Sequence, residues 1–289
     1  MLRQFLYFHL LPLLLLLCAM SALMAENPKA EIAAYKEQLK QAEPQAKSQL
    51  LLQLTLAYLK DQETEKAFQT FLAALETLPK KAAVKPRETK EYREALSLYL
   101  NSHESHTIQT AAKEITAAYS EAAKEQPQLL FILAAAEANL GELPNFFQNF
   151  YQAYQQFPEH YLAYRTLAII HYKLYALAKT PALKEQQSDC IYRYAMQAID
   201  LEPKDAELYK LIIVTTGEKN KSSIVRQLLR KIISENIIIP RSDIKTYALE
   251  AVAIQDRLLA EEFVNKSREW YRYSRSIDEV ERLVKSSQY

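Results

Sequence analysis

Catalysis needs nucleophiles, acids, bases or metal ligands at workable spacing, and this chain offers few such groupings. Its histidines are His9, His103, His106, His160 and His171. His103-Glu104-Ser105-His106 sets two imidazoles three residues apart, a spacing that one metal ion could bridge on a helix. No third ligand follows nearby, and Asn101-Ser102 marks a helix end, so the segment reads as a solvated turn. The cysteines are Cys18 and Cys190, with no CxxC, and HExxH, GxSxG and Walker sequences are also lacking. Cys190 has only Arg193 as a sequence-local cation and reads as a buried, inert thiol. Asp and Glu total 35, and no pair among them is singled out by spacing. No metal or cofactor is expected, and the chain reads as a non-enzyme.

The elements that would position side chains follow from composition. Over 289 residues, 49% are apolar and 25% charged, a globular balance for one large domain or two ordinary ones. Glycine occurs twice, at Gly141 and Gly217, where average usage would give roughly 20. That scarcity excludes glycine-rich phosphate loops, dinucleotide folds and hairpin-rich β proteins, whose tight turns need positive φ. Lys plus Arg total 36 against 35 acids, so nothing draws the chain toward nucleic acid.

Residues 1–25 read as an export signal. Arg3 precedes an apolar stretch from Phe5 through Leu13–Leu17, then small residues up to Ala25. The alternative is a retained membrane anchor over residues 5–25, since about 20 apolar residues suffice to span a bilayer. Lipidation at Cys18 ranks third, because Leu17 stands where a small residue is wanted. The expected location is the periplasm, or the inner membrane if the anchor is kept.

Beyond residue 28 the pattern is helical, and prolines punctuate it. Phe71-x2-Ala74-x4-Pro79 recurs as Tyr119-x2-Ala122-x4-Pro127 and as Phe150-x2-Ala153-x4-Pro158. A fourth copy keeps Ala198-x4-Pro203 with Ala195 at the aromatic place. Upstream of the first copy stand Leu54-Thr55-x2-Tyr58 and Ala67-x3-Phe71; the third has Leu133-Ala134, with Glu137 where an aromatic is expected. With these residues the chain resembles the tetratricopeptide repeat (TPR) family, whose unit of about 34 residues is a helix–turn–helix.

The resemblance implies an all-α fold: a right-handed superhelix of antiparallel helix pairs, a TPR-like α-solenoid, preceded by the signal segment. Units are placed at 48–81, 82–126, 127–160, 161–204 and 205–240. A cap helix over 26–47 has Ile32, Tyr35 and Leu39 on one face, and a helical repeat and cap fill 241–289. An insertion around Lys179-Thr180-Pro181 lengthens the fourth unit, and Ile237-Ile238-Ile239 reads as a packed connector. Ser276-Ile277-Asp278-Glu279 reads as a capping box opening the last helix.

In the family the first helices line a concave groove. Helical spacing then places Arg165, Ile169, Tyr172 and Lys173 on that face. The same step selects Phe131, Ala135 and Asn139 in the third unit, and Tyr209, Lys210 and Ile213 in the fifth. This mixed basic and apolar surface suits an extended or helical peptide with some acidic character. The lysine–asparagine carboxylate clamp of chaperone-binding members has no match here. The segment from Lys266 to Arg275, which holds Trp270, Tyr271 and Tyr273, reads as a capping helix with Trp270 and Tyr271 packed inward. The reading that results is an exported scaffold for a protein or peptide partner in envelope or secretion-complex assembly. The alternative is an enzyme, or a subunit of one, working from the same groove.

Overall fold

The computed structural model describes residues 27–79, 88–100, 105–272 and 274–286. Among them are fifteen helices and no strand. They are α1 (Pro28–Gln41), α2 (Pro44–Lys60), α3 (Thr64–Glu76), α4 (Lys90–Leu100) and α5 (Ser105–Tyr119). After the short α6 (Ala122–Glu125) come α7 (Leu129–Leu140), α8 (Leu143–Gln156), α9 (Tyr161–Leu177) and α10 (Pro181–Leu201). The chain continues through α11 (Ala206–Thr215), α12 (Glu218–Ser234), α13 (Ile244–Ala253), α14 (Arg257–Trp270) and α15 (Arg275–Ser286). The signal segment, residues 80–87, His103 and Tyr273 lie outside the described residues.

Helix starts follow local chemistry. Asn27, Thr180, Asp205 and Asp256 each accept a backbone N–H of the first turn through their side chains. Pro28, Pro44, Pro144 and Pro181 stand within the first two positions of their helices, where a missing N–H costs nothing. Three hairpins turn in the same way. Gly141 (φ 82), Gln62 (φ 61) and Gln255 (φ 58) are left-handed, and the next N–H bonds back to the carbonyl five residues earlier: Glu142 to Glu137, Glu63 to Tyr58, Asp256 to Ala251. This is the Schellman stop, built twice on glutamine in a chain nearly without glycine.

Consecutive helices pair as hairpins: α2/α3, α4/α5, α7/α8, α9/α10, α11/α12 and α13/α14. The first helices α4, α7, α9, α11, α13 and α15 pack side by side in sequence order. Behind them α5, α10, α12 and α14 each lean on the next first helix. This layering is what the tetratricopeptide resemblance implies. It is broken once. Between the third and fourth units the place against α9 is taken by α3, which packs on both α8 and α9, while α2 packs on α8. The N-terminal hairpin thus skips its sequence neighbour and wedges into the stack two units away.

Aromatic packing makes that wedge. Phe71 lies 4.5 Å from Phe147 and 5.8 Å from Phe150, ring centre to ring centre, and Phe68 meets Phe147 edge-on at 5.4 Å. Ser48 Oγ donates to the Ala74 carbonyl at 2.7 Å and sits 2.8 Å from the Tyr151 hydroxyl. Phe71, Ala74, Phe150 and Ala153 of the repeated phrase are fully buried, while Tyr119 is half-buried. Outside the wedge, α1 covers a small cluster of Ile32, Leu54, Ala57, Tyr58 and Ala67, with Tyr35 and Leu39 against it.

Two local expectations change. The α2 helix begins at Pro44, ahead of residue 48. The last helix is entered from Ser274, whose carbonyl accepts the N–H groups of Ile277 and Asp278, rather than from a Ser276–Glu279 box. The isoleucine connector holds: Ile237 and Ile239 are buried and Ile238 faces water.

In a double-mutant cycle, Phe71→Ala with Phe147→Ala should show a coupling of about 0.5–1.5 kcal/mol in urea unfolding, the range for aromatic pairs. Each single change should cost about 3–5 kcal/mol. A stack in which the first and third units do not touch would give additive losses.

Candidate functional site

The residues expected to line a groove fall into two groups along the first helices. At the N-terminal ends, Phe131 and Tyr209 are fully buried and Arg165 is only 5% exposed. Phe131 packs edge-on to Phe150 at 5.4 Å and lies flat on the His160 ring at 5.1 Å. Tyr209 donates to the Pro203 carbonyl at 3.0 Å, and Ile213 is buried as well. These side chains are core, and the expectation that they face a peptide is corrected. Spacing places these residues on one stripe of each helix; what it could not show is that α4 lies over His160 and Arg165.

Two tyrosines of α4, one heptad apart, make the closure. Tyr92 places its hydroxyl 3.1 Å from His160 Nε2. Tyr99 accepts a 2.7 Å hydrogen bond from Arg165 Nη1, and its ring lies 5.1 Å from the guanidinium carbon. Arg165 Nε donates to Asp205 Oδ2 at 2.8 Å, and Nη2 donates to Glu207. Tyr161 donates to the same Asp205 oxygen at 2.5 Å, while Asp205 Oδ1 caps α11 by accepting from Glu207 N. Burial opposes the charge on Arg165, but Tyr99, Asp205 and Glu207 outweigh it and hold the guanidinium above its ordinary range. Burial, then the charge of Asp205, pushes the Tyr161 hydroxyl up.

His160 caps α9: its Nδ1 accepts from Leu162 N at 3.1 Å, which leaves the proton on Nε2 to donate to Tyr92. Burial lowers its pKa to about 4. His171 is a packed residue, stacked on Tyr194 at 5.4 Å with Nδ1 2.7 Å from Gln187 Oε1. Burial pushes the half-buried Cys190 thiol up, against thiolate formation.

Toward the C-terminal ends the first helices are open. Ile169 and Tyr172 are half-buried, and Lys173 and Asn139 are exposed. Lys210 is half-exposed and paired with Asp243 at 2.7 Å. Ala135 is half-buried between these and the core. Elsewhere two clefts indent the surface. One of about 620 Å³ lies between α10 and the α11–α12 turn, lined by Tyr175, Lys184, Tyr192, Thr216 and Asn220. The other, about 360 Å³, lies between α5–α6 and the α7/α8 hairpin, and Glu137 lines it. Glu137 is 6% exposed, and burial raises its carboxyl pKa.

Sequence reasoning missed Tyr92, Tyr99, Asp205, Glu207 and Asp243. A cap signal was visible in Asp205-Ala206-Glu207, which opens α11 directly after the fourth proline. Nothing in the sequence pointed to the reach of α4 across the layer. Trp270 and Tyr271 pack inward, donating to Asn236 Oδ1 and to the Ile239 carbonyl.

No protein-family model matches the chain, and no curated protein matches it either. Among solved structures, a thermophilic TPR protein of Thermus thermophilus is similar with a TM-score of 0.47 and 15% identity, over 68% of this chain and 96% of that one.

Arg165→Ala should cost about 3–5 kcal/mol in chemical unfolding, because it strands the buried Asp205 carboxylate. A surface arginine would give a change within about 0.5 kcal/mol. A second measurement uses pH. The folded pKa of His160 lies below the unfolded one, so the unfolded chain binds more protons between about pH 4 and 6.5. The stability tied to this residue is complete above pH 6.5 and is lost as pH falls toward 4, at most about 3 kcal/mol. His160→Asn, which still caps but does not titrate, should unfold with a shallower pH slope over that window.

Proposed function

We propose that the chain is a non-enzymatic scaffold that holds a protein or peptide partner against the open part of its first-helix layer. The observation that carries this reading is the division of that layer. The N-terminal ends of α7 and α9 are covered by α4, and their C-terminal ends present Asn139, Ile169, Tyr172 and Lys173 on two helices that pack on each other. An amphipathic ring, an aliphatic surface, an amide and an ammonium on two packed helices make a preorganised contact strip. Lys173 favours a partner segment with acidic character, and the Lys210–Asp243 ion pair is a polar feature of α11 beyond it.

The export-like leader supports placing this scaffold in the periplasm, within envelope or secretion-complex assembly, with retention through residues 5–25 as the alternative. N-terminal sequencing of the native protein decides between them. The reading of an envelope enzyme or enzyme subunit has one supporting feature, the raised pKa of Glu137. That carboxylate accepts from Asn149, and no second acid lines the cleft, so it lacks the carboxylate pair that glycoside hydrolysis commonly uses.

Tyr172→Ala combined with Lys173→Glu should reduce partner capture about tenfold or more, the loss expected from one anchor and one charge. The circular dichroism spectrum should stay unchanged, with a modest fall in thermal midpoint because Tyr172 packs partly on the core. A photo-crosslinker at position 172 in cells, followed by mass spectrometry, identifies the partner. Unchanged capture by the double variant would count against this strip.

A further inference from the structure

A buried charge without a counter-charge is costly, and Glu137 is such a charge. Both of its oxygens accept from Asn149 Nδ2, at 2.9 and 2.8 Å, and no cation among the described residues lies within ion-pair reach. The nearest candidate on the cleft wall, Lys124, is engaged by Glu121 at 2.7 Å on the solvent side. Glu142 adds further negative potential to the floor. A carboxylate has about four lone-pair positions, and one amide uses only part of that capacity.

Apart from Lys124, whose ammonium points to solvent beside Glu121, the rest of the cleft lining is uncharged and layered. Helix α8 carries no ionisable acid or base except tyrosines, and Asn149, Gln152 and Gln156 form a stripe along it at i, i+3 and i+7. The two glutamines are exposed at the rim, where their carbonyls can accept. Leu130, Leu133 and Pro127 line the wall on the other side. Glu137 stands where the repeat pattern expects an aromatic side chain. The shorter residue leaves open a space of about 360 Å³, inside the range of small-ligand sites, with a charge at its base.

We infer that this cleft is a receptor for an arginine side chain presented by a partner protein. The apolar wall takes the methylene stem, the carboxylate takes the guanidinium edge, and the glutamine carbonyls take the remaining N–H donors. Arginine fits better than lysine because it offers five donors in a plane and is less strongly hydrated, so burial costs it less. The cleft shares no lining residue with the strip of Asn139, Ile169, Tyr172 and Lys173 and does not depend on it.

The test titrates the 289-residue protein with acetyl-Ala-Arg-Ala-amide, following the Asn149 side-chain amide by NMR. Binding near about 1 mM is expected for a single side chain. The citrulline peptide, equal in shape but neutral, and the lysine peptide should each bind about tenfold more weakly or worse. Glu137→Gln, which can still accept from Asn149, should lower arginine affinity about tenfold at an unchanged circular dichroism spectrum. If that variant does not fold, Gln152→Ala with Gln156→Ala carries the test, since both residues are exposed and should weaken binding without unfolding. The inference is overturned if no arginine-dependent shift occurs at Asn149. It is equally overturned if the citrulline or lysine peptide binds as well, or if a folded Glu137→Gln or double-glutamine variant binds undiminished.

Discussion

An amphipathic helical hairpin cannot hide its apolar side alone, and every larger feature of this molecule follows from how that deficit is met. A regular stack meets it by sequence order, each pair covering the one before. Here the N-terminal hairpin is carried past the second unit and set between α8 and α9, where Phe68 and Phe71 meet Phe146, Phe147 and Phe150. Full burial of such a side chain is worth about 1.5–3 kcal/mol, so the cluster outweighs any local preference for the neighbouring unit. The displaced hairpin in turn exposes an outer face, and α1 covers it with Ile32, Tyr35 and Leu39. At the other end α15 buries Ile277, Val280 and Val284 against α13 and α14.

Polar groups drawn into this apolar framework obey a second constraint, that each must find a partner. Ser48 bonds the Ala74 carbonyl, Ser188 the Thr215 carbonyl and Ser267 the Phe263 carbonyl. Arg165 is the demanding case and has Tyr99, Asp205 and Glu207. Lys221 meets Glu250 at 2.9 Å with both side chains mostly buried. Against this background Glu137 is the exception. Its sole donor among the described residues is a neutral amide, although it is as buried as Arg165. An interior that otherwise matches charge with charge makes that one mismatch informative.

Much of the local architecture was legible. The prolines and the repeated aromatic–alanine phrase mark the second helices, and Phe71, Ala74, Phe150 and Ala153 are core because the phrase encodes the face each helix buries. The Lys179–Pro181 insertion becomes the capped start of the long α10, with Thr180 accepting from Leu183 N. Unit order was not legible. A helix pair carries the same periodicity whether it docks on its neighbour or on a unit further along, and the sequence pattern holds no information on which surface receives Phe71. The same limit explains the groove. Periodicity names the stripe holding Phe131, Arg165 and Tyr209, but whether water or another helix covers it depends on curvature, a property of the whole array. The buried network was hidden for a related reason, since Arg165 lies 66 residues from Tyr99 and 40 from Asp205.

The Arg165 network also sets what the surface can do. Its members come from three units: Tyr99 from the second, Tyr161 and Arg165 from the fourth, Asp205 and Glu207 from the fifth. An apolar cluster of equal size could bury the same area in several registers. A guanidinium with directed partners accepts few, so the bonds of Arg165 tie the second, fourth and fifth units in one register. In that register α4 packs on α7 and covers the N-terminal end of α9 through Tyr92 and Tyr99. The side chains that this packing leaves uncovered lie further along the first helices, at Asn139, Ile169, Tyr172 and Lys173. A chain that relaxed these bonds would loosen the second, fourth and fifth units from one another and uncover the N-terminal end of α9.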